Sequence, residues 1–390
     1  MANPKKSIDL DNQNQQTLRS KIIIIGSAHP LRGGGIATFN ERLAEVLQQQ
    51  GYDVTIYSFS LQYPSFLFPG KSQFTDEPAP SNLNIRSVIN SINPFNWLHV
   101  GKELKKLKPD LVIVRYWLPF MGPCLGTILR SVKKNKHTKI ICIADNIIPH
   151  EHRVGDKLFT QYFIKPVDAF ISMSKDVLKD LKTFTDKPSV YTPHPLYDNY
   201  GDATSKKEAC TKLGLDAEKK YLLFFGFIRK YKGLDLLLDA LTDDRLKKMG
   251  IELIIAGEFY DNPDEYKAPI QAVQDRVKMF TQFIPNDEVK YYFGAADLVV
   301  QPYRTATQSG ITQVAYHFEK PMIVTHVGGL QEVVPDGKVG FTAEPKAPSI
   351  ADAIVRFFDN PIPRLEENIA LEKKKYSWEV FIEKLMTLAR

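Results

Sequence analysis

Apolar patterning begins at KIIII, where four consecutive isoleucines, Ile22 to Ile25, read as a parallel strand buried on both faces. Gly33, Gly34 and Gly35 follow, and Phe39, Leu43, Val46 and Leu47 then share one helical stripe that Gly51 ends. The next strand starts at Val54 and runs on through Ser58, Phe59 and Ser60. This is a βαβ unit with a glycine-rich first turn. Three glycines let a ligand approach the backbone closely, although a merely flexible loop would also read this way. Further strands are predicted from Asn84 to Ile89, Leu111 to Val114, Ile140 to Ala144 and Val167 to Ser172. The pattern lapses at YTPHPLYDNY, which Pro193 and Pro195 stiffen, and a second series then begins. Its strands are expected from Leu222 to Phe225, Ile251 to Ala256, Val277 to Ile284, Leu298 to Val300 and Met322 to Thr325. Helical spacing of Ile350, Ile354 and Phe357, then of Trp378, Phe381 and Leu385, closes the chain. Two repeated α/β halves on a stiff connection imply a cleft between them.

The chemistry concentrates at strand ends. After Pro302 comes a small polar turn, Thr305, Ala306, Thr307, Gln308, Ser309 and Gly310, and then a helical pattern. A helix whose first turn is Thr, Ser and Gly presents free backbone N–H groups and its positive dipole end to an anion. A phosphorylated ligand is expected here, an ordinary βαβ crossover with a Ser/Thr cap being the alternative. Strand Leu222 to Phe225 is followed by Gly226, Arg229 and Lys232, and the next strand ends in Gly257 and Glu258. Arg229 as a bidentate fork and Lys232 as a point charge could converge with the helix start on one diphosphate. Each charge-assisted bond is worth roughly 1.5–3 kcal/mol, and such a clamp stabilises charge building on a leaving phosphate. In the first half, Asp145, Asn146, His150, Glu151 and His152 follow a strand end, where ligands of open α/β sheets gather. A surface His-Glu pair capping a helix fits the same residues.

With 390 residues the chain suits two domains of about 150–200 residues each. The expected divisions are a disordered polar tail (1–20), a first domain (21–195), a connection (196–219), a second domain (220–372) and a last helix (373–390). Hydrophobic content of 43% and 25% charged residues describe a soluble globular protein. No run approaches the roughly 18–20 apolar residues of a membrane span, and the tail lacks the apolar core of a signal peptide. Cys124, Cys142 and Cys210 are widely spaced, which argues against a disulfide framework or zinc site and for a cytoplasmic location. The net charge of +6 is uneven, being +9 up to Pro195 and −3 beyond it. Lys102, Lys105, Lys106 and Lys108, with Arg130, Lys133, Lys134, Lys136 and Lys139, could meet an anionic membrane surface or a phosphorylated acceptor, or could simply be solvated helix faces. No nucleic acid is expected as partner. Residues 62–80, rich in Pro, Phe and Ser, read as a long loop over the cleft or against a partner.

The set GGGIATFNERLAEVLQQQGYDVT, FFGFIRKYKGLDLLLDAL, IIAGE, AADLVVQPY, ATQSGITQVAY and KPMIVTHVGGLQEVVPDGKVGF resembles the family 4 (group 1) retaining glycosyltransferases of the GT-B fold. It covers nearly all of the chain after the tail, in the right order. The resemblance implies two facing Rossmann-like domains, a nucleotide-sugar donor held mainly by the second, an acceptor held mainly by the first, and a last helix crossing back. It places Arg229 and Lys232 on the donor pyrophosphate and Ile284 where backbone holds the nucleobase. Gly34 and Gly35 stand beside phosphates and acceptor, and His150 near the sugar, while Asp145 occupies another place where a histidine often stands. Gly226, Gly257, Glu258, Thr307, Gln308, Ser309 and Gly310 complete the expected donor site. The family's paired glutamates, eight apart, are missing: anchored on Pro321 they fall on Ala306 and Val314, and shifted by one on Thr305 and Gln313. Gln313 is expected either as a neutral ribose partner or as a plain helix-surface residue.

No DxD stands at a strand end, Asp9-Leu10-Asp11 being in the tail, so neither metal nor cofactor is expected. The expected reaction moves a sugar from a UDP- or GDP-sugar to a hydroxyl of a glycan or lipid-linked acceptor. It does so with retention, by attack on the face from which the diphosphate leaves, and serves polysaccharide or glycoconjugate assembly at the inner face of the cell membrane. Three readings compete: a GT-B protein that binds nucleotide-sugar without transfer, a dinucleotide oxidoreductase, and a membrane scaffold. The absence of GxGxxG weighs against the second.

Overall fold

The computed structural model describes residues 20–32, 35–64, 73–75, 78–149, 154–306 and 309–390. The first half carries strands β1 (Lys21–Ile25), β2 (Asp53–Leu61), β3 (Asn84–Asn90), β4 (Leu111–Tyr116), β5 (Lys139–Ala144), β6 (Ala169–Ser172) and β7 (Ser189–Tyr191). Its helices are α1 (Gly35–Gln49), α2 (Pro94–Leu107), α3 (Gly122–Lys133), α4 (Asp156–Ile164) and α5 (Lys175–Lys182). All seven strands are parallel, in the order β3-β2-β1-β4-β5-β6-β7. The isoleucine run lies at the centre, with Ile22 to Ile25 at most 1% exposed, as a strand covered on both faces must be.

The second half repeats the plan with β8 (Lys220–Phe225), β9 (Ile251–Ala256), β10 (Val277–Phe280), β11 (Leu298–Gln301), β12 (Met322–Thr325) and β13 (Gly340–Ala343). Its order is β10-β9-β8-β11-β12-β13, again all parallel. Its helices are α6 (Lys206–Leu213), α7 (Leu234–Ala240), α8 (Asp244–Lys248), α9 (Lys267–Ala272), α10 (Val289–Ala295), α11 (Gly310–His317), α12 (Leu330–Val333), α13 (Ala347–Asp359), α14 (Leu365–Lys373) and α15 (Trp378–Ala389). In both sheets the strand order reverses beside the first strand, β1 against β4 and β8 against β11. Ligands of doubly wound sheets bind at that crevice.

The edge strands β7 and β13 were not expected, β4, β6 and β8 differ from the sequence reading by two residues at one end, and two differences are larger. β10 stops at Phe280, four residues short of the expected end at Ile284, and α10 starts only at Val289, beyond Pro285. Residues 206–213, within the expected connection, form α6, capped by Ser205 and packed so that a Cβ on Gly294 would touch Thr204 and Ala209. The expected tail lies almost wholly among residues 1–19, outside the described residues.

α15 returns to the first half, as expected. Its Trp378 and Phe381 rings lie 5.1 and 5.5 Å from Phe39 of α1, and Lys384 donates to the Tyr191 carbonyl of β7 at 3.0 Å. The Trp378 indole N–H donates to the Leu196 carbonyl at 2.9 Å, tying the outgoing connection to the returning one. One apolar cluster therefore runs through both halves, joining Ile22, Phe39 and Ile143 to Trp378, Val299 and Val324.

Candidate active site

A cavity of about 1000 Å³ lies between the halves, at the carboxyl edges of both sheets. Its floor belongs to the second half. Gly226, just past β8, has φ +95°, and Gly257, just past β9, has φ +134°. A Cβ on Gly257 would stand 2.4 Å from the Gly226 carbonyl oxygen, so the two turns touch and only glycine fits. The chain then turns through Arg229 and Lys232 before α7. The Lys232 ammonium folds back to within 3.2 Å of the point a Cβ on Gly226 would occupy, and Ile311 Cδ1 comes to 3.4 Å of the same point. Lys232 therefore meets the first turn of α11 across Gly226.

Lys232 is 8% exposed and forms no ion pair with a carboxylate among the described residues; the Tyr303 ring lies 5.8 Å away. Burial, then the charge of Arg229, pushes its pKa down to about 8. A buried ammonium held beside a second cation favours an incoming anion. The Arg229 guanidinium lies 5.1 Å from the Tyr260 ring and also lacks a carboxylate among the described residues. Opposite, Ser309 caps α11, its Oγ accepting from the Ile311 N–H at 3.2 Å. Gly310 is needed for close approach, since a Cβ there would meet Tyr197 Cε2 at 2.7 Å. The Tyr197 hydroxyl donates to the Gly35 carbonyl at 2.6 Å, so one buried tyrosine, its phenol pushed up by burial, holds the starts of α1 and α11 together.

The two halves also meet through charge. Arg32 reaches Glu258 at 3.8 Å and lies over the Phe283 ring at 5.5 Å. Below the first-half wall, Arg115 forks onto Asp145 at 2.8 and 2.6 Å and stacks on Phe39 at 4.1 Å. Burial raises the Asp145 carboxyl, against the opposing pull of Arg115.

Residues 219–360 match the family model described as glycosyl transferases group 1, and residues 33–192 that of glycosyltransferase family 4. The chain belongs to this family. It is 24% identical over 350 residues to an uncharacterized glycosyltransferase of Methanocaldococcus jannaschii, covering 89% of this chain and 91% of that one. It is 24% identical over 305 residues to a D-inositol 3-phosphate glycosyltransferase of Corynebacterium urealyticum, covering 73% and 72%. Among solved structures, HepE of Anabaena in complex with UDP superposes with a TM-score of 0.71 at 15% identity, covering 94% of this chain and all of that one. That likeness shows the fold, the two-domain GT-B arrangement.

The glycosyltransferase brings most of its expected site residues together. Gly35, Gly226, Arg229, Lys232, Gly257, Glu258, Ile284, Ser309 and Gly310 all line the cavity. Gly34, His150, Thr307 and Gln308 lie outside the described residues. Gln313 is a correction. It is 1% exposed and faces a separate small crevice beside His194 and Glu332, while Val314 and Ala306 line the cavity. Helical pitch decides this, because neighbouring positions on α11 point about 100° apart. Thr305 and Ala306 both line the cavity, so the two registers part only at the second position, where Val314 faces the site and Gln313 does not. Sequence reasoning missed Tyr197, Tyr63, Trp117 and Arg32. Trp117 had a usable signal, being in RYWLPF at the carboxyl end of β4, beside the strand-order reversal.

Proposed function

We propose that this glycosyltransferase moves a sugar from a UDP- or GDP-sugar to an acceptor hydroxyl with retention of configuration. The observation that carries the reading is the buried Lys232 ammonium, set against Gly226 and the first turn of α11 and flanked by Arg229. A donor diphosphate there would take the Arg229 fork, the Lys232 charge and the N–H groups around Gly310. These groups neutralise the charge that develops as the sugar–phosphate bond breaks, which supports a reaction needing neither metal nor cofactor. Ile284 and Phe283 supply apolar surface beside the donor base. The Anabaena protein, whose structures include complexes with UDP and with UDP-glucose, supports a uridine nucleotide as the first donor to try.

With Ala306 and Val314 facing the cavity, no carboxylate from α11 is placed as a nucleophile. That favours attack on the face from which the diphosphate departs. The test is release of UDP or GDP from a panel of nucleotide-sugars, with the anomeric configuration of the product read by NMR. Retained configuration is expected; inversion would remove the same-face mechanism, and nucleotide binding without any release would favour a binding protein.

We further propose a glycan or lipid-linked acceptor met at an anionic membrane surface. Phe95, Leu98 and Leu158 are 84%, 51% and 69% exposed, on α2 and α4, whose starts lie at the sheet edge where the cavity opens. Among the described residues no helix is long and apolar enough to cross a membrane. Sedimentation with vesicles containing phosphatidylserine should capture the protein at low salt and lose it in the Phe95→Ser, Leu158→Ser variant. Equal recovery of both in the supernatant would remove the membrane step.

A further inference from the structure

The first-half wall of the cavity carries aromatic residues that the donor does not use. Trp117, just past β4, gives its indole N–H to the Tyr63 hydroxyl at 2.6 Å. Its one polar atom is thus engaged and what remains for a ligand is the ring. Trp117 packs edge-on against Phe59 of the core, centroids 6.1 Å apart. Tyr63 is fixed in turn by Gln73, whose side chain accepts from the Tyr63 N–H at 3.1 Å and donates to its carbonyl at 2.9 Å. Phe120 lines the same wall, and Asn146 and Asp156 supply polar groups beside it. Among the described residues, no Lys, Arg or His of the first half lines the cavity; its two cations, Arg229 and Lys232, lie on the second half.

We infer that the acceptor subsite takes an uncharged sugar ring, laid on the Trp117–Tyr63–Phe120 wall with its hydroxyls toward Asn146 and Asp156. This deepens the transferase reading and rests on it only for the word acceptor. Rigid aromatic rings offer apolar area to the C–H face of a pyranose, while an amide and a carboxylate satisfy its hydroxyls. Along this wall a phosphorylated acceptor would instead find aromatic rings, with no first-half cation among the described residues that line the cavity to replace its hydration.

The test is tryptophan fluorescence of the full chain, with and without UDP, titrated with methyl β-D-glucopyranoside, methyl β-D-galactopyranoside and methyl α-D-mannopyranoside, and separately with D-myo-inositol 3-phosphate. At least one methyl glycoside should give a saturable change that Trp117→Phe abolishes. Phe120→Ala should weaken it roughly tenfold, with unchanged thermal unfolding showing that the variant folds. A change given by inositol 3-phosphate and by none of the neutral glycosides would overturn the inference. So would the absence of any change, or a glycoside response that survives in both variants. A glycoside response in a protein that binds no UDP or GDP leaves the sugar wall standing and removes the donor reading instead.

Discussion

The Lys232 ammonium and the absent side chain of Gly226 occupy one space, 3.2 Å separating Nζ from the position of a Cβ. Gly226→Ala therefore does two things: it strains a backbone at φ +95° and pushes the ammonium off the cavity floor. Because Nζ ends a flexible chain, the expected stability loss is modest, about 1–2 kcal/mol from the backbone. Calorimetric affinity for UDP should fall much further. Gly257→Ala meets the Gly226 carbonyl itself and should destabilise more, on the order of 2–4 kcal/mol, because backbone cannot step aside.

Removing the cation tests the clamp directly. Lys232→Met should lower turnover by about 10²–10³-fold, as for loss of one preorganised charge donor. Its melting temperature should hold or rise, since a buried unpaired charge is replaced by an apolar chain of similar length. Wild-type turnover in this variant and in Arg229→Ala would remove the clamp from the mechanism.

The depressed Lys232 pKa sets a pH window. A diphosphate needs the ammonium, which the free protein holds below about 8. Affinity for UDP should be highest below that value and fall as pH climbs through it, because binding must then recover a proton. Isothermal titration in two buffers of different ionisation enthalpy should show proton uptake near pH 9 that Lys232→Met lacks. Stability moves oppositely: between about 8 and the ordinary 10.5 the unfolded chain holds a proton the folded chain has lost, so this residue lets stability rise with pH there.

Arg115 and Asp145 offer a case of structure without direct chemistry. Their side chains are 3% and 11% exposed, and removing one charge strands the other. Arg115→Met should cost about 3–5 kcal/mol in urea unfolding, and Arg115→Met with Asp145→Leu should recover most of it. A double variant no better than the single would show that the guanidinium matters mainly as a plate on Phe39.

Much of this architecture was legible because buried parallel strands announce themselves. Ile22 to Ile25 and Met322 to Thr325 are apolar runs between turn residues, and no other element type competes for them. The place of Arg229 and Lys232 on the cavity floor was legible for a similar reason, as both are bound to a strand end by sequence alone. Gln313 was not, since a shift of one residue on a helix moves a side chain about 100° and no pattern in α11 fixes its rotation. Tyr197 hid in a segment that read as a connection. Its role comes from contacts with Gly35 and Gly310, 162 and 113 positions away, which no local spacing can express.

The returning α15 changes what counts as a half of this molecule. Phe39 is fully buried partly because Trp378 and Phe381 close over it, so the segment ending near Pro195 borrows its lid from the far end of the chain. Cutting the chain near Pro195 would leave that aromatic strip bare to water, and a late frameshift that spares every cavity residue would still unroof α1 of the first half.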